Sequence, residues 1–168
     1  MNWVAIHSQA LVSSGPQLGL LTVTRAKELY MFEIIAVTKA LADESRVRLL
    51  AALEDKELCV CQLTELIGLA SSTVSKHLSI LRSARLIESR KEGRWMYYRL
   101  ADALPQATQE KALTWLMGAI NDQPRIRADR QRLAEILTKD PEVLCRQQSQ
   151  DAAKRSSAGI KRAKIAQH

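Results

Sequence analysis

Cys59 and Cys61, one residue apart in the run 57–63, are the residues of this chain best suited to specific chemistry. Thiolates are soft donors that select soft metal ions and metalloids. The apolar pattern from Val60 onward predicts a helix beginning after Cys59, whose unpaired N–H groups and dipole favour the thiolate form. Side chains two residues apart in a regular helix point in different directions. One ion bound to both sulfurs therefore requires the backbone to leave helical geometry, which would provide a switch.

Cys145 is the remaining cysteine and the candidate third ligand. It follows the break at Asp140-Pro141, on a segment that would have to fold back, and a small cellular thiol or a buffer group is the alternative. The simpler interpretations are that Cys59 and Cys61 are small core residues and that Cys145 is an idle surface thiol. An odd number of thiols, two of them too close for an ordinary structural disulfide, predicts reduced cysteines in the cytosol.

Helical spacing of apolar residues predicts the elements that position these thiols. Residues 31–41 predict a first helix, and Asp43 is a suitable N-cap for a second. The third helix, after Cys59, ends at Gly68, which tolerates the left-handed conformation that a tight turn requires. A fourth helix over about 71–84 completes a helix-turn-helix.

The fourth helix presents a polar face suited to DNA. Short hydroxyl donors and cations on one helix face can reach base edges and phosphates in the major groove. The formal charge of the chain is +7, and seven basic residues stand against two acidic residues over 71–100. This balance favours a nucleic-acid partner over a merely solvated helix. The predicted contacts on this helix are Ser71, Ser72, Thr73, Ser75, Lys76 and His77.

Residues 86–90 and 95–100 predict two strands, and Gly93 between them can supply the positive φ that a hairpin needs. A basic hairpin is often only exposed, but directly after a helix-turn-helix it is typical of a winged helix. Its cations are therefore predicted to contact phosphate or the minor groove. They are Arg90, Lys91 and Arg94.

The helix after Pro105 carries four apolar residues at i, i+3, i+4 and i+7. Some of this stripe is expected to cover the core, but a small winged domain has little core left to cover. Much of the stripe is therefore predicted to pack on a second copy of the chain. Its residues are Leu113, Leu116, Met117 and Ile120.

The predicted fold class is mainly α with a small β-hairpin, a dimeric winged helix-turn-helix. Residues 1–30 are expected to be a disordered extension or the result of a start site assigned too early. The winged DNA-binding and dimerisation domain spans 31–122, a C-terminal helix 123–143 and a basic disordered tail 144–168. No apolar stretch approaches the roughly 20 residues that span a membrane.

The chain resembles the ArsR family of metalloregulatory winged-helix repressors over roughly residues 31–100. The run Glu57-Leu58-Cys59-Val60-Cys61 is similar to the arsenic-binding box of the arsenical-resistance branch. The other matching pieces are 41–43 followed by Arg46, 72–78, and 90–94 leading to 98–100.

The resemblance implies a homodimer joined through its first and last core helices. It would bind double-stranded operator DNA with an imperfect inverted repeat, need no cofactor to do so, and leave when As(III), or also Sb(III), binds Cys59 and Cys61. Two residues depart from the family pattern. Arg85 stands where relatives often carry glycine, and Thr64, a poor ligand for a soft ion, stands where the box often holds a third cysteine.

Other functions remain open alternatives. A winged-helix repressor of this kind could sense another soft metal or thiol oxidation, and a constitutive DNA-binding protein could carry incidental cysteines. A thiol oxidoreductase is disfavoured, because no C-x-x-C in a βαβ pattern and no cofactor loop is present, so we expect no enzymatic activity. Zinc is disfavoured because it wants four clustered ligands. The expected location is the cytoplasm.

Overall fold

The computed structural model of the chain describes residues 30–101, 107–151 and 153. Helices and a three-stranded antiparallel sheet in the order β1-β3-β2 make up this part of the chain. No helix in it has the length and hydropathy of a membrane-spanning segment. The elements are α1 (30–41), α2 (Glu44–Ala52), β1 (Leu58–Cys59), α3 (Val60–Ile67), α4 (Ser71–Ser83), β2 (Ile87–Glu92), β3 (Trp95–Leu100), α5 (Ala107–Ile120), α6 (Pro124–Leu137) and α7 (141–151).

The helix-turn-helix forms where local signals predict it. The Asp43 side chain accepts a hydrogen bond from the Arg46 backbone N–H at 3.0 Å, which confirms Asp43 as the N-cap of α2. Gly68 ends α3 with φ +75, and its N–H donates to the Thr64 carbonyl at 2.9 Å. This left-handed residue lets α4 begin at Ser71 at an angle to α3, as the sequence predicts.

Arg85 adopts φ +57 after α4. Its N–H donates to the Arg82 carbonyl at 2.9 Å, and the Leu86 N–H donates to the Leu81 carbonyl at 3.1 Å. These are the two hydrogen bonds of a Schellman motif, in which the left-handed position is usually glycine. The turn thus has the geometry that usually requires glycine although residue 85 is arginine, and Arg85 bears the conformational cost.

The substitutions Gly68→Ala and Arg85→Gly should change the free energy of unfolding in opposite directions. A side chain in the left-handed region costs roughly 1–2 kcal/mol, partly offset by the greater chain entropy of glycine in the unfolded state. Since a Cβ on Gly68 would meet nothing within 4 Å, Gly68→Ala tests that conformational cost alone. We expect Gly68→Ala to lower, and Arg85→Gly to raise, the free energy of unfolding by about 1 kcal/mol in urea titrations. Shifts of the same sign in both variants would contradict this explanation.

Strands β2 and β3, with the turn between them, form the wing, residues 87–100. Strand β1 pairs with β3 through Cys59 and Tyr97, and β2 pairs with β3 up to Glu92 and Trp95. Only two residues connect β2 to β3, and Gly93 among them has φ +57, which confirms the predicted hairpin. Strand β3 has the predicted bounds and Arg90 lies in β2 as predicted, whereas Lys91 and Glu92, which the sequence assigned to the loop, extend β2.

Apolar faces of α2, α3 and α4 form the core with the first residues of the wing. Val74, Leu78 and Leu81, the predicted inner face of α4, are fully buried. Helix α6 packs on α2 and α3 and inserts Asp129 beside Arg48, with Nε to Oδ2 at 2.6 Å and Nη2 to Oδ1 at 2.9 Å. Both of these side chains are largely buried, and the hydrogen bonds that Arg48 donates to Asp129 raise the pKa of Arg48.

The stripe on α5 is oriented differently from the prediction. Leu113 and Leu116 are buried against the core of their own chain, and Met117 and Ile120 are half-buried beside them. The two buried leucines therefore offer no surface to a second copy. Trp115, a large apolar residue of α5, is 67% exposed. The core is larger than the sequence predicts, because α6 and α7 contribute Leu133, Ile136 and Leu144 to it.

The C-terminal segment also differs from the expected tail. Residues 141–151 form α7, whose first turn is capped by Asp140, with its Oδ1 accepting from the Glu142 N–H at 2.7 Å. Leu144 is only 2% exposed and belongs to the core. Proline after an N-cap residue is favoured at the first helical position, so Asp140-Pro141 starts a helix as well as ending one. Residues 154–168 and 1–29, which the sequence assigns to tails, lie outside the described residues, as does Pro105.

Candidate effector site and DNA-binding surface

Cys59 lies in the core at the junction of β1 and α3. It is 0% exposed, occupies the N-cap of α3, and its backbone N–H donates to Oε1 of Gln62 at 2.9 Å. The prediction that α3 begins after Cys59 is confirmed. Full burial leaves the Cys59 thiol no open approach for a solute from solvent.

Cys61 and Cys145 form a sulfur pair. Their Sγ atoms are in bonding contact and their Cα atoms are 5.4 Å apart, across 84 residues of sequence. This separation lies inside the roughly 4.4–6.8 Å range that a disulfide spans. Cys59 is the free cysteine. The arrangement differs from the expectation of three reduced thiols, because α7 brings Cys145 to α3.

Helix α7 also contacts the backbone of Cys61, in addition to the contact between the two sulfurs. The Gln148 side-chain amide donates to the Cys61 carbonyl at 2.9 Å. On the other side of Cys145, a groove lined by Val60, Trp95 and Ser149 is open to solvent. A small solute can therefore approach Cys145 along this groove, while Cys61 lies buried behind it.

Cysteine sulfurs suit a soft ion, but the structure brings two of them together, those of Cys61 and Cys145, and leaves Cys59 apart. In the described part of the chain, no three cysteine, histidine or acidic side chains come together as a metal-binding group. Thr64, at the position of the missing third cysteine, is buried with a hydroxyl that has no hydrogen-bond partner there. Once the bond between them is reduced, the thiolates of Cys61 and Cys145 would fit a thiophilic metalloid. The switch expected from Cys59 and Cys61 is not required by this pair, because α3 stays helical from Val60 with the Cys61 sulfur in contact with Cys145.

The outer face of α4 is placed as predicted for DNA. Ser71, Ser72, Ser75 and Lys76 are exposed, and Thr73 is half-buried. The helix is thirteen residues long and its apolar face holds it to the core. Hydroxyl groups and a cation therefore project together from a rigid helix, which is the geometry that groove contacts need.

His77 is placed differently. Its side chain is 14% exposed and its Nδ1 lies 3.6 Å from the Asp43 carboxylate and 3.4 Å from Nη1 of Arg46. Arg46 also donates from Nε to the Ala40 carbonyl at 2.7 Å. His77 therefore fastens α4 to the start of α2, whose Arg46 binds the end of α1, and its ring is mostly buried. Helical spacing alone did not reveal this, because the partners lie on other helices.

Two of the three predicted wing cations are paired with carboxylates. Arg90 donates from Nε to Glu57 at 2.7 Å, also donates to Glu92, and stacks 5.0 Å from the Tyr97 ring. The hydrogen bond from Arg90 lowers the pKa of Glu57, and the same contacts raise the pKa of Arg90. Lys91, by contrast, is exposed and available.

Arg94, at the tip of the wing, donates to Glu142 of α7 and stacks 5.0 Å from the Trp95 ring. Glu142 and Gln148 were not predicted as site residues. The signal for them was the helix start at Asp140-Pro141, since a helix from there places residues 142, 145 and 148 about one turn apart.

Sequence comparison places residues 43–89 in a family described as "Bacterial regulatory protein, arsR family". The chain is 38% identical over 112 residues to the arsenic resistance transcriptional regulator ArsR1 of Pseudomonas putida, covering 64% of this chain and 84% of that protein. It is 54% identical over 63 residues to a transcriptional repressor SmtB homolog of Synechocystis, covering 38% of this chain and 48% of that relative. Among solved structures, HlyU from Vibrio cholerae is similar at 28% identity and a TM-score of 0.48, over 55% of this chain and 97% of HlyU.

Proposed function

The chain belongs to the ArsR family of bacterial regulatory proteins, and on that premise we propose that it represses an arsenic-resistance operon and leaves its operator when As(III) binds its thiols. The relative from Pseudomonas putida that supports this proposal is named an arsenic resistance transcriptional regulator, and the match covers 84% of that protein. The relative from Synechocystis is named as a homolog of the repressor SmtB, without mention of arsenic. The names of the relatives therefore do not identify the effector, and we argue it from the thiols of this chain.

The observation that carries the proposal is the pair Cys61 and Cys145, drawn from two helices and reached by an open groove. Arsenite is an uncharged oxyacid in water, As(OH)₃, and exchanges hydroxyl groups for thiolates. In this exchange two As–O bonds break, two As–S bonds form, and the two thiol protons leave with the hydroxyl groups as two waters. This exchange starts from the reduced pair: a dithiol reductant first gives two electrons and two protons to the bonded sulfurs and is itself oxidised to a disulfide. Arsenic then stays trivalent and no oxidant is needed. Cys59, which the sequence predicts as a ligand beside Cys61, would bind the same ion only by leaving its buried position.

The DNA side of the proposal rests on the outer face of α4 and on Lys91 of the wing. Each operator half-site would take one such helix in the major groove, so an inverted repeat requires two copies of the chain. Exposed apolar side chains on α1, including Tyr30, Phe32 and Ile35, together with Trp115 of α5, provide surface for a second copy. Patches of this kind commonly mark protein interfaces.

Thiol oxidation is a second candidate signal, favoured by the disulfide spacing of Cys61 and Cys145. With hydrogen peroxide as oxidant, the two thiols lose two protons and two electrons to form the S–S bond, and the peroxide is reduced to two waters. Either signal would link the same two helices.

Fluorescence anisotropy on a labelled operator duplex separates these functions. We expect arsenite to weaken binding of the reduced, oxygen-free protein about 5–150-fold, the usual range of an allosteric coupling. Zn(II) serves as the control for another metal, and hydrogen peroxide as the control for oxidation. Unchanged affinity at saturating arsenite would show that arsenite is not the effector, and release by peroxide alone would favour the oxidation sensor.

A further inference from the structure

Helix α7 contacts the sulfur pair and the wing at the same time. Its inner side carries Leu144 in the core, Cys145 against Cys61, and Gln148 bonded to the Cys61 carbonyl. Its first turn carries Glu142, which accepts a hydrogen bond from Arg94 at the wing tip. One rigid helix thus connects a chemically reactive site to a cation that the sequence predicts as a DNA contact.

Glu142 presents to Arg94 the chemistry that DNA would present. A guanidinium binds carboxylate and phosphate oxygens through the same N–H donors, so the two acceptors compete for it. Arg146, one turn further along α7, lies 3.5 Å from the same Glu142 oxygen and helps to hold that carboxylate in place. A carboxylate fixed at the wing tip also repels an approaching phosphate backbone.

We propose that α7 is an autoinhibitory strap: when Cys61 and Cys145 are bridged, Glu142 occupies Arg94 and weakens operator binding. When the thiols are separate, α7 lifts from the wing and Arg94 contacts phosphate. The strap deepens the proposed function and rests on it for the identity of the bridging agent. A bridge raises the effective concentration of Glu142 at Arg94 without any new contact at the wing.

The direction of the effect follows from the geometry. A bridge can only hold α7 closer to α3, since it ties Cys145 to a residue within that helix. Closure places the carboxylate on Arg94, and operator affinity falls.

Glu142→Gln removes the competing charge and leaves the sulfur pair intact. At saturating arsenite, we expect this variant to bind the operator roughly three to five times more tightly than the parent, the range available to an exposed ion pair. The slope of log affinity against log salt should steepen by about 1.8, because each of the two copies on the operator gains one phosphate contact worth about 0.9. Without arsenite the gain should be smaller, since α7 is then free to lift.

Two controls separate the strap from a general charge effect. Glu135→Gln makes the same change of net charge on an exposed position of α6, away from the wing, and should give no gain. In an Arg94→Ala background, Glu142→Gln should add nothing. A gain equal to that of Glu135→Gln, or one that persists without Arg94, overturns the strap. Failure of arsenite to release the parent instead overturns the proposed effector, and the same comparison in peroxide-oxidised protein then tests the strap by itself.

Discussion

Cys61→Ser should abolish release of the operator by arsenite. The hydroxyl of serine is a hard donor that holds As(III) far less well than a thiolate, and a pair with one thiol left cannot bridge α3 to α7. We expect saturating arsenite to leave the operator affinity of this variant within about twofold of its arsenite-free value, where the parent loses roughly 5–150-fold. Cys145→Ser should behave in the same way. The measurement is operator anisotropy against arsenite concentration.

Cys59→Ser is the matched control for these variants. Serine is a favoured N-cap residue, so this change should preserve the start of α3. Because Cys59 is buried and apart from the sulfur pair, its variant should still release the operator at high arsenite. If Cys59→Ser abolishes release while Cys145→Ser retains it, the effector binds the adjacent thiols of the box, and the pair across α3 and α7 is not the site.

Asp129→Ala should produce the largest loss of stability of any single change considered for this chain. It leaves Arg48 buried and unpaired, since that guanidinium is bonded through Nε and Nη2 to the Asp129 carboxylate. Breaking a buried ion pair in this way costs about 3–5 kcal/mol. A protein of this size loses roughly 2–4 °C in Tm for each kcal/mol, so thermal unfolding should shift down by about 6–20 °C.

Two comparisons show whether the loss comes from the unpaired charge. The double variant Arg48→Met with Asp129→Leu removes both charges and should recover most of the lost stability. Arg130, like Asp129, lies on α6, and its half-exposed side chain is 3.0 Å from the Glu54 carboxylate. Glu54→Gln breaks this ion pair and should cost no more than about 1 kcal/mol. Equal losses in Asp129→Ala and Glu54→Gln would show that burial of the Arg48 pair does not govern its contribution.

The parts of the fold that could be predicted from the sequence depend on short-range signals. Asp43 caps a helix through a residue three positions away, and Gly68 and Gly93 mark turns through their own backbone conformation. The apolar period of α4 fixes which face is buried and therefore which face is free for DNA. None of these inferences needs knowledge of a distant residue.

The parts that were wrong or missed depend on distant partners. Arg48 and Asp129 lie 81 residues apart, and no spacing rule joins them. The composition of the C-terminal segment indicated disorder, but Leu144 and Cys145 gain enough burial against α3 and the wing to order α7. That unexpected helix then pairs Glu142 with Arg94, while contacts with Asp43 and Arg46 turn His77 inward. The identity of the thiols was readable from the sequence, and which two of them meet was not.

Amide hydrogen exchange in α7 tests the central claim most directly. If arsenite bridges Cys61 and Cys145, peptides covering 144–151 of the reduced, DNA-free protein should exchange more slowly when arsenite is added, and Cys145→Ser should abolish that protection. Unchanged or faster exchange in this helix, under arsenite concentrations that release the operator, would contradict the claim that release works by fastening α7 over the wing.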